Sequence, residues 1–224
     1  MNQNQVRLIA DYGMGDKSTL GFTVEFNNND YPDSEFGLLH GREWAAGVDY
    51  TYALTKASNL NAFYEHSRMD SDQRGRQSGA APSTNPADNW TVNLIDNFDT
   101  VGLGYETSLL GPNSNWHTTL TYSHANGDAN LDSPPGGTPN VAVSIANVDE
   151  TEWITFRTGI DFRLLPRTKL GMLYWFEHYT IDDFAENSIR ANAIIPAGTI
   201  LLNASKPDYT YHAGWLGFIF EWGS

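Results

Sequence analysis

The sequence lacks cysteine entirely, so it can form no disulfide, no thiolate metal site and no CxxCH haem attachment. It also lacks any run of 18 apolar residues, which excludes a transmembrane helix. Basic residues are few, and the formal charge of −14 argues against nucleic-acid binding. A mean hydropathy of −0.43 does not exclude a membrane, because alternating barrel strands average out in a hydropathy scan.

Aromatic residues (13%) and glycines (20) are abundant, as is typical of strands and turns. Apolar residues alternate with other residues in about nine runs. Roughly 45 positions of one parity carry no Asp, Glu, Lys or Arg, although 18% of the chain is charged. A charge that faces lipid at mid-membrane costs about 2–4 kcal/mol, which would exclude charged residues from such positions. A soluble sandwich also alternates, so periodicity alone does not separate the two folds.

The connections between the runs alternate strictly between short and long. Four are tight turns, and the other four are long loops near 27–41, 73–98, 126–150 and 183–208. Tight periplasmic turns and long outer loops are typical of outer-membrane barrels. A sandwich with four long loops at one end is much less common. The sequence therefore predicts one all-β domain over 1–224, a transmembrane antiparallel up-and-down β-barrel in the bacterial outer membrane, surrounded by lipid.

Aromatic residues at the uncharged positions lie at two levels, as expected for the girdles at the two membrane interfaces. At the long-loop end they are Phe26, Trp44, Tyr64, Tyr122 and Phe176. At the short-turn end they are Tyr12, Tyr50, Tyr52, Tyr105, Trp116, Phe162 and Trp222. We call the face formed by the uncharged positions the lipid face, and the opposite face of the sheet the lumen face.

The chain termini suggest part of a larger barrel. The last run, GFIFEWGS, contains Gly217, Phe220 and Trp222 in a spacing that resembles a C-terminal barrel-assembly signal. MNQNQ at the start has no signal-peptide character. About nine strands is an odd number, whereas bacterial single-chain barrels have even numbers. We therefore expect the C-terminal part of a longer barrel.

Several stretches resemble the MtrB/PioB family of outer-membrane barrels, in the order found in that family. They are NLNAFYEHSRMDSDQRGRQ (59–77), NW…DNFDTVGLGYETSLL (89–110), NWHTTLTYSHANGDANLD (115–132) and LGMLYWFEHYTIDDFAEN (170–187). The resemblance implies a barrel that sheathes a multihaem c-type cytochrome in its lumen during extracellular electron transfer. The haem would belong to that partner, and this chain would bind no cofactor or metal itself.

The lumen face carries bulky side chains where an open pore would be mostly polar. Candidate contacts with a lumen partner are Trp153, Arg157, Asp161, Arg163, Trp175, Trp215 and His117. Arg157, Asp161 and Arg163 form either an internal ion-pair ladder or a contact with an acidic insert. The alternative to a filled wide barrel is a narrow barrel that its own side chains fill.

Other functions have weaker support. A diffusion porin or small structural barrel without a cytochrome is the second hypothesis, and an outer-membrane enzyme is the third. A catalytic triad is disfavoured by the positions of the Ser–His pairs. Ser67 follows His66 and Ser123 follows His124 in the sequence, so the two members of each pair point to opposite faces of the sheet. His66, His124, His178 and His212 fall on different strands, as interfacial histidines would. The acidic loops lack EF-hand spacing, so we predict solvated loops and no enzyme activity.

Overall fold

Tight turns join the strands in pairs. The computed structural model describes residues 1–76, 83–108, 111, 113–132, 143–183 and 208–220. Gly15 (φ 70°) and Gly111 (φ 95°) adopt the left-handed conformation in two of the short turns, where glycine is the residue that meets least strain. The described strands are β1 (Asn2–Met14), β2 (Ser18–Asp30), β3 (Gly37–Thr55), β4 (Ser58–Arg76), β5 (Asn89–Thr107), β6 (Ser114–Asp132), β7 (Val143–Leu165), β8 (Thr168–Asp183) and β9 (Tyr209–Phe220).

The strands form one antiparallel sheet in the order β1 to β9, each paired with its neighbour in sequence. The register brings lipid-face residues together at every step: Leu103 pairs with Leu120, and Leu120 pairs with Phe156. Because side chains alternate with a period of two, one correct pair fixes both faces of a strand. The predicted up-and-down topology is confirmed, and the residues of each predicted parity share one face of the sheet.

The part of the lipid face without charged residues has the height of a bilayer core. On β7 it runs from Ile154 to Leu164, which is eleven residues. At about 3.3 Å per residue and a tilt of about 40°, it spans roughly 25 Å. At the lower end, Tyr105 and Trp116 pack edge to face at 5.6 Å, and the Trp116 indole N–H donates to Thr158 Oγ1 at 2.9 Å. At the upper end, Trp44 packs against His66 at 5.1 Å.

The strands continue beyond the membrane, so the predicted loop boundaries require correction. The loop near 27–41 shortens to the segment between Asp30 and Gly37, and strands occupy both ends of the loops near 73–98 and 126–150. The central residues 77–82 and 133–142, and the loop of 184–207, lie outside the described residues. Above the membrane both faces meet water, so the apolar alternation that marks a strand in the sequence disappears there.

No apolar side chain is buried among the described residues, and large apolar groups are exposed on both faces. A single sheet has no second layer to cover it, so its apolar surface needs lipid on one side and other cover on the other side. No helix in the described ranges is long and apolar enough to cross a membrane. β1 and β9 form the edges of the sheet.

Candidate functional site

Side chains on the lumen face lie over glycines of the neighbouring strand or of their own strand. A Cβ atom added to Gly102 would lie 2.2 Å from Cε1 of Phe63, and one added to Gly217 would lie 2.1 Å from Cζ2 of Trp215. Covering a glycine with a ring restores packing that the missing side chain cannot provide. The rings therefore cover the glycine backbone. The result is a flattened wall that a partner could approach closely.

An aromatic cluster occupies the lumen face of β7, β8 and β9. The Arg157 guanidinium carbon lies 4.3 Å from the Trp175 ring centroid, in cation–π geometry. Trp175 also packs edge to face with Tyr211, at 5.7 Å. Trp215 is 53% exposed on the edge strand β9. Arg157, Trp175 and Tyr211 are therefore brought together, and the aromatic surface that they present is open.

Trp153 is the most informative member of this surface. It is 41% exposed although β7 is paired on both sides, so the exposure does not arise from a sheet edge. It lies opposite Tyr179, whose ring stacks on Tyr209 at 5.3 Å. Burying a tryptophan contributes a large apolar area, so an exposed one on a rigid sheet is a strong candidate for a contact residue.

A cavity of about 370 Å³ opens beside Trp153, with Phe98, Tyr179, Asp96 and Asp149 in its lining. It lies above the upper girdle, outside the membrane-spanning part of the strands. The two carboxylates approach the same glycine from β5 and β7: a Cβ on Gly127 would lie 2.1 Å from Asp149 and 2.8 Å from Asp96. Desolvation, and then the charge of Asp149, raise the pKa of Asp96 above its ordinary value. This part of the wall combines aromatic faces with two mutually repelling acids.

The lumen face is acidic as a whole. Over β2 to β6 it carries no Lys or Arg but six carboxylates, which we call the acidic wall: Glu25, Glu43, Asp49, Glu65, Asp96 and Glu106. Glu43, Asp49 and Glu65 are exposed, and no cation of the described chain lies within ion-pair distance of them. Charges of one sign on one face of a sheet add up to a potential that attracts the opposite charge to that face.

The other predicted lumen residues lie on the predicted face but apart from the aromatic cluster. His117 lies over Gly159, with Nε2 2.7 Å from the position of an added Cβ. Asp161 and Arg163 are exposed towards the short-turn end. In the described part of the chain neither arginine pairs with Asp161, so of the two alternatives the ion-pair ladder is not observed there, and Arg157 packs on Trp175 instead.

Of the predicted assembly signal, Gly217 and Phe220 belong to β9, and Trp222 lies outside the described residues. Phe220 is on the lipid face opposite Thr168. Gly217 is on the lumen face beneath Trp215, so its local role is to receive that ring. A role of these residues in barrel assembly stays a prediction from the sequence.

The histidines at the upper membrane boundary face away from the lumen. His66 Nδ1 lies 2.9 Å from Asp99 Oδ1, and His212 Nδ1 lies 2.8 Å from the Tyr174 hydroxyl. His124 and His178 also have lipid-face partners, Glu150 and Thr210. The described residues contain no group of three or more His, Asp or Glu arranged to hold a metal ion. With no cysteine in the chain, these residues do not fit a haem attachment site.

Sequence reasoning missed Phe98, Asp96 and Asp149 because they fall inside predicted loops. The signal that would have found them is parity. Counting back from Gly102 in steps of two along β5 reaches Thr100, Phe98 and Asp96 on the lumen face. The loop prediction ended that count too early.

Comparisons with known proteins agree with the geometry. The family model described as an outer membrane beta-barrel porin, MtrB/PioB, matches residues 1–222. Outer membrane protein MtrB from Shewanella baltica (strain OS185) is 23% identical over 193 residues, which cover 86% of this chain. Those residues are 26% of the relative, so the chain spans about a quarter of its length.

Two solved structures of outer-membrane receptors match most of the chain. The ferric preacinetobactin receptor BauA from Acinetobacter baumannii matches 96% of this chain and 36% of its own, at a TM-score of 0.55 and 10% identity. The ferric-catecholate import receptor Fiu from K12 E. coli matches 97% of this chain and 40% of its own, at a TM-score of 0.47 and 9% identity. The BauA match supports the fold alone, a section of an outer-membrane β-barrel wall.

Proposed function

Because the chain belongs to the MtrB/PioB family of outer-membrane β-barrel proteins, we propose that it forms part of a barrel that sheathes a multihaem c-type cytochrome. In this proposal the partner carries the haems, and the barrel keeps the electron path apart from lipid and bulk water. The barrel supplies binding and insulation, and no catalytic group. The direct role of this chain is to hold the partner against its lumen face.

The observation that carries the proposal is the exposed aromatic surface formed by Trp153, Tyr211 and Trp215. A water-filled pore would expose this apolar area to solvent at a cost of about 25 cal/mol per Å². A folded partner that packs against the wall removes that cost. The flat packing of Phe63 and Trp215 over glycines also leaves room for a partner close to the strands.

Co-purification tests the proposal directly. We expect the full-length barrel, extracted from outer membranes in mild detergent, to retain a haem absorption band that co-migrates with it in gel filtration. A barrel that purifies without haem, and that passes small solutes when it is placed in liposomes, would contradict the proposal. That result would favour the diffusion porin.

A matched pair of variants tests the contact surface. Trp153 and Trp44 are both 41% exposed near the upper girdle, but Trp153 is on the lumen face and Trp44 on the lipid face. Removing a tryptophan at an interface hot spot costs about 2 kcal/mol, so Trp153→Ala should weaken cytochrome retention by roughly 10- to 30-fold. Trp44→Ala should leave retention unchanged. Equal effects of the two changes would show that Trp153 acts on barrel folding and not on binding.

The diffusion porin remains the second candidate function. Asn61, Asn115 and Thr119 give the short-turn end of the lumen face a polar surface, beside a polar cavity of about 300 Å³ that Asn61 and Thr119 line. Such a surface would suit the passage of hydrated solutes. The liposome assay separates this function from the proposed one.

A further inference from the structure

The acidic wall separates charge by face in a way that bilayer insertion does not require. Arg42, Arg68, Arg74 and Arg76 belong to β3 and β4, which also carry Glu43, Asp49 and Glu65. All four arginines have the lipid-face parity, and they lie at the level of Trp44, the register partner of Arg68, or beyond it. The strands therefore contain cations, but none of them points to the lumen where the carboxylates lie.

Unpaired carboxylates that share an enclosed space repel one another. Glu25 has a cation partner in Arg7 of β1, at 3.6 Å. Glu43 and Glu65 have none among the described residues, and both are exposed. A sheet that meets only water gains nothing from this arrangement, whereas a cationic surface opposite the wall would lower the repulsion along its whole length.

We propose that the acidic wall of β2 to β6 docks a lysine- and arginine-rich surface of the protein that occupies the lumen. The inference rests on the proposed function and adds the chemistry of the partner surface. Asp49 lies over Gly21, as Phe63 lies over Gly102, so both side chains stay close to the strands and leave room for a partner surface. The wall of β7 to β9 differs, because there aromatic rings stand beside side chains of both charges, such as Arg157 and Asp161.

The cavity beside Trp153 is the strongest single contact point of this surface. Phe98 and Trp153 offer exposed ring faces, and Asp96 and Asp149 lie at the same cavity. An arginine side chain from the partner would stack its stem and guanidinium on the rings and donate to the carboxylates. A volume of about 370 Å³ is more than one such side chain needs.

The test uses the full-length barrel with its partner, purified from outer membranes in detergent and immobilised through the barrel. Release of the partner is followed between about 50 and 500 mM NaCl, a range over which exposed charges become screened. The test variant is Glu43→Gln with Glu65→Gln. The control is Glu150→Gln with Glu152→Gln, which removes the same charge from the opposite face.

We expect the wild-type complex to dissociate more readily as salt rises. Removing one exposed ion pair between the two proteins weakens their affinity by about 2- to 5-fold, so the test variant should lose roughly 4- to 25-fold at low salt and respond less to added salt. The control should stay within about 2-fold of the wild type. Unchanged electrophoretic migration of the unheated barrels would confirm that both variants fold.

Two results would overturn the inference, and they differ in what they imply for the function. A complex that is insensitive to salt and equally stable in both variants would contradict a basic partner surface, but it would be consistent with a lumen that a partner occupies. A wild-type barrel without any partner, which conducts cations selectively, would remove both proposals. The counterions of the wall would then be inorganic cations in an open pore.

Discussion

Replacing Gly102 with alanine should destabilise the barrel through Phe63. The added Cβ would lie 2.2 Å from Cε1 and 2.5 Å from Cζ of that ring. Carbon atoms in contact need about 3.5–4.0 Å, so the ring must move by more than about 1 Å. Glycine and ring belong to interior strands and face each other in the register, which leaves only a move into the lumen.

The magnitude follows from two opposing effects. Overpacking of this kind costs about 1–3 kcal/mol. The lower entropy of the unfolded alanine chain returns about 0.4–1 kcal/mol. The net destabilisation should be about 1–2 kcal/mol, measured as the loss in free energy of unfolding by urea for the full-length barrel in lipid vesicles. The lifted ring should also hinder the partner.

Gly214 is the matched control for this prediction. It belongs to β9 on the lipid face, and an added Cβ would meet nothing within 4 Å. Gly214→Ala should be neutral or stabilise the barrel by up to about 1 kcal/mol. In a Phe63→Ala background, Gly102→Ala should lose most of its effect, since the coupled partner is gone. If Gly102→Ala and Gly214→Ala have the same effect, the wall does not depend on rings packed over glycines.

Two further predictions concern the faces and the acidic cavity. Leu120→Lys places a charge on the lipid face between Leu103 and Phe156 and should cost about 2–4 kcal/mol in the same unfolding assay, whereas Thr121→Lys, on the lumen face, should cost less than about 1 kcal/mol. In the folded state the pKa of Asp96 is raised above its ordinary value of 3.8. The protonated side chain therefore favours folding below pH 3.8, and this contribution to stability disappears as the pH rises through the folded pKa. Asp96→Asn should remove this loss of stability with rising pH. If the free energies of unfolding of the two proteins change in parallel with pH, Asp96 does not have a raised pKa.

The lipid face could be predicted from the sequence because it obeys one rule at every position. Lipid excludes charge from each residue of that parity, so a strand such as Ile154–Leu164 reveals its orientation locally. The two girdles follow from the same rule at its boundaries. The strand ends could not be predicted, because above Trp44 and Tyr64 water lies on both sides and no pattern remains.

The lumen face was predicted as a set of residues but not as an arrangement. Arg157 and Asp161 are close in sequence on one face and suggest an ion pair, yet Arg157 lies over Trp175 of the next strand. Asp96 and Asp149 are far apart in the sequence, and only the register of β5, β6 and β7 brings them to Gly127. Contacts across strands depend on register, which no single strand encodes.

The alternation, the short turns and the two girdles can be predicted from the chain alone, because each depends on what surrounds one residue or one turn. The fold was needed to show which glycine lies under which ring, where the aromatic cluster and the acidic wall lie, and how far the strands extend. Those features arise from pairing between strands, where a shift of one residue would exchange lipid for lumen along the whole sheet.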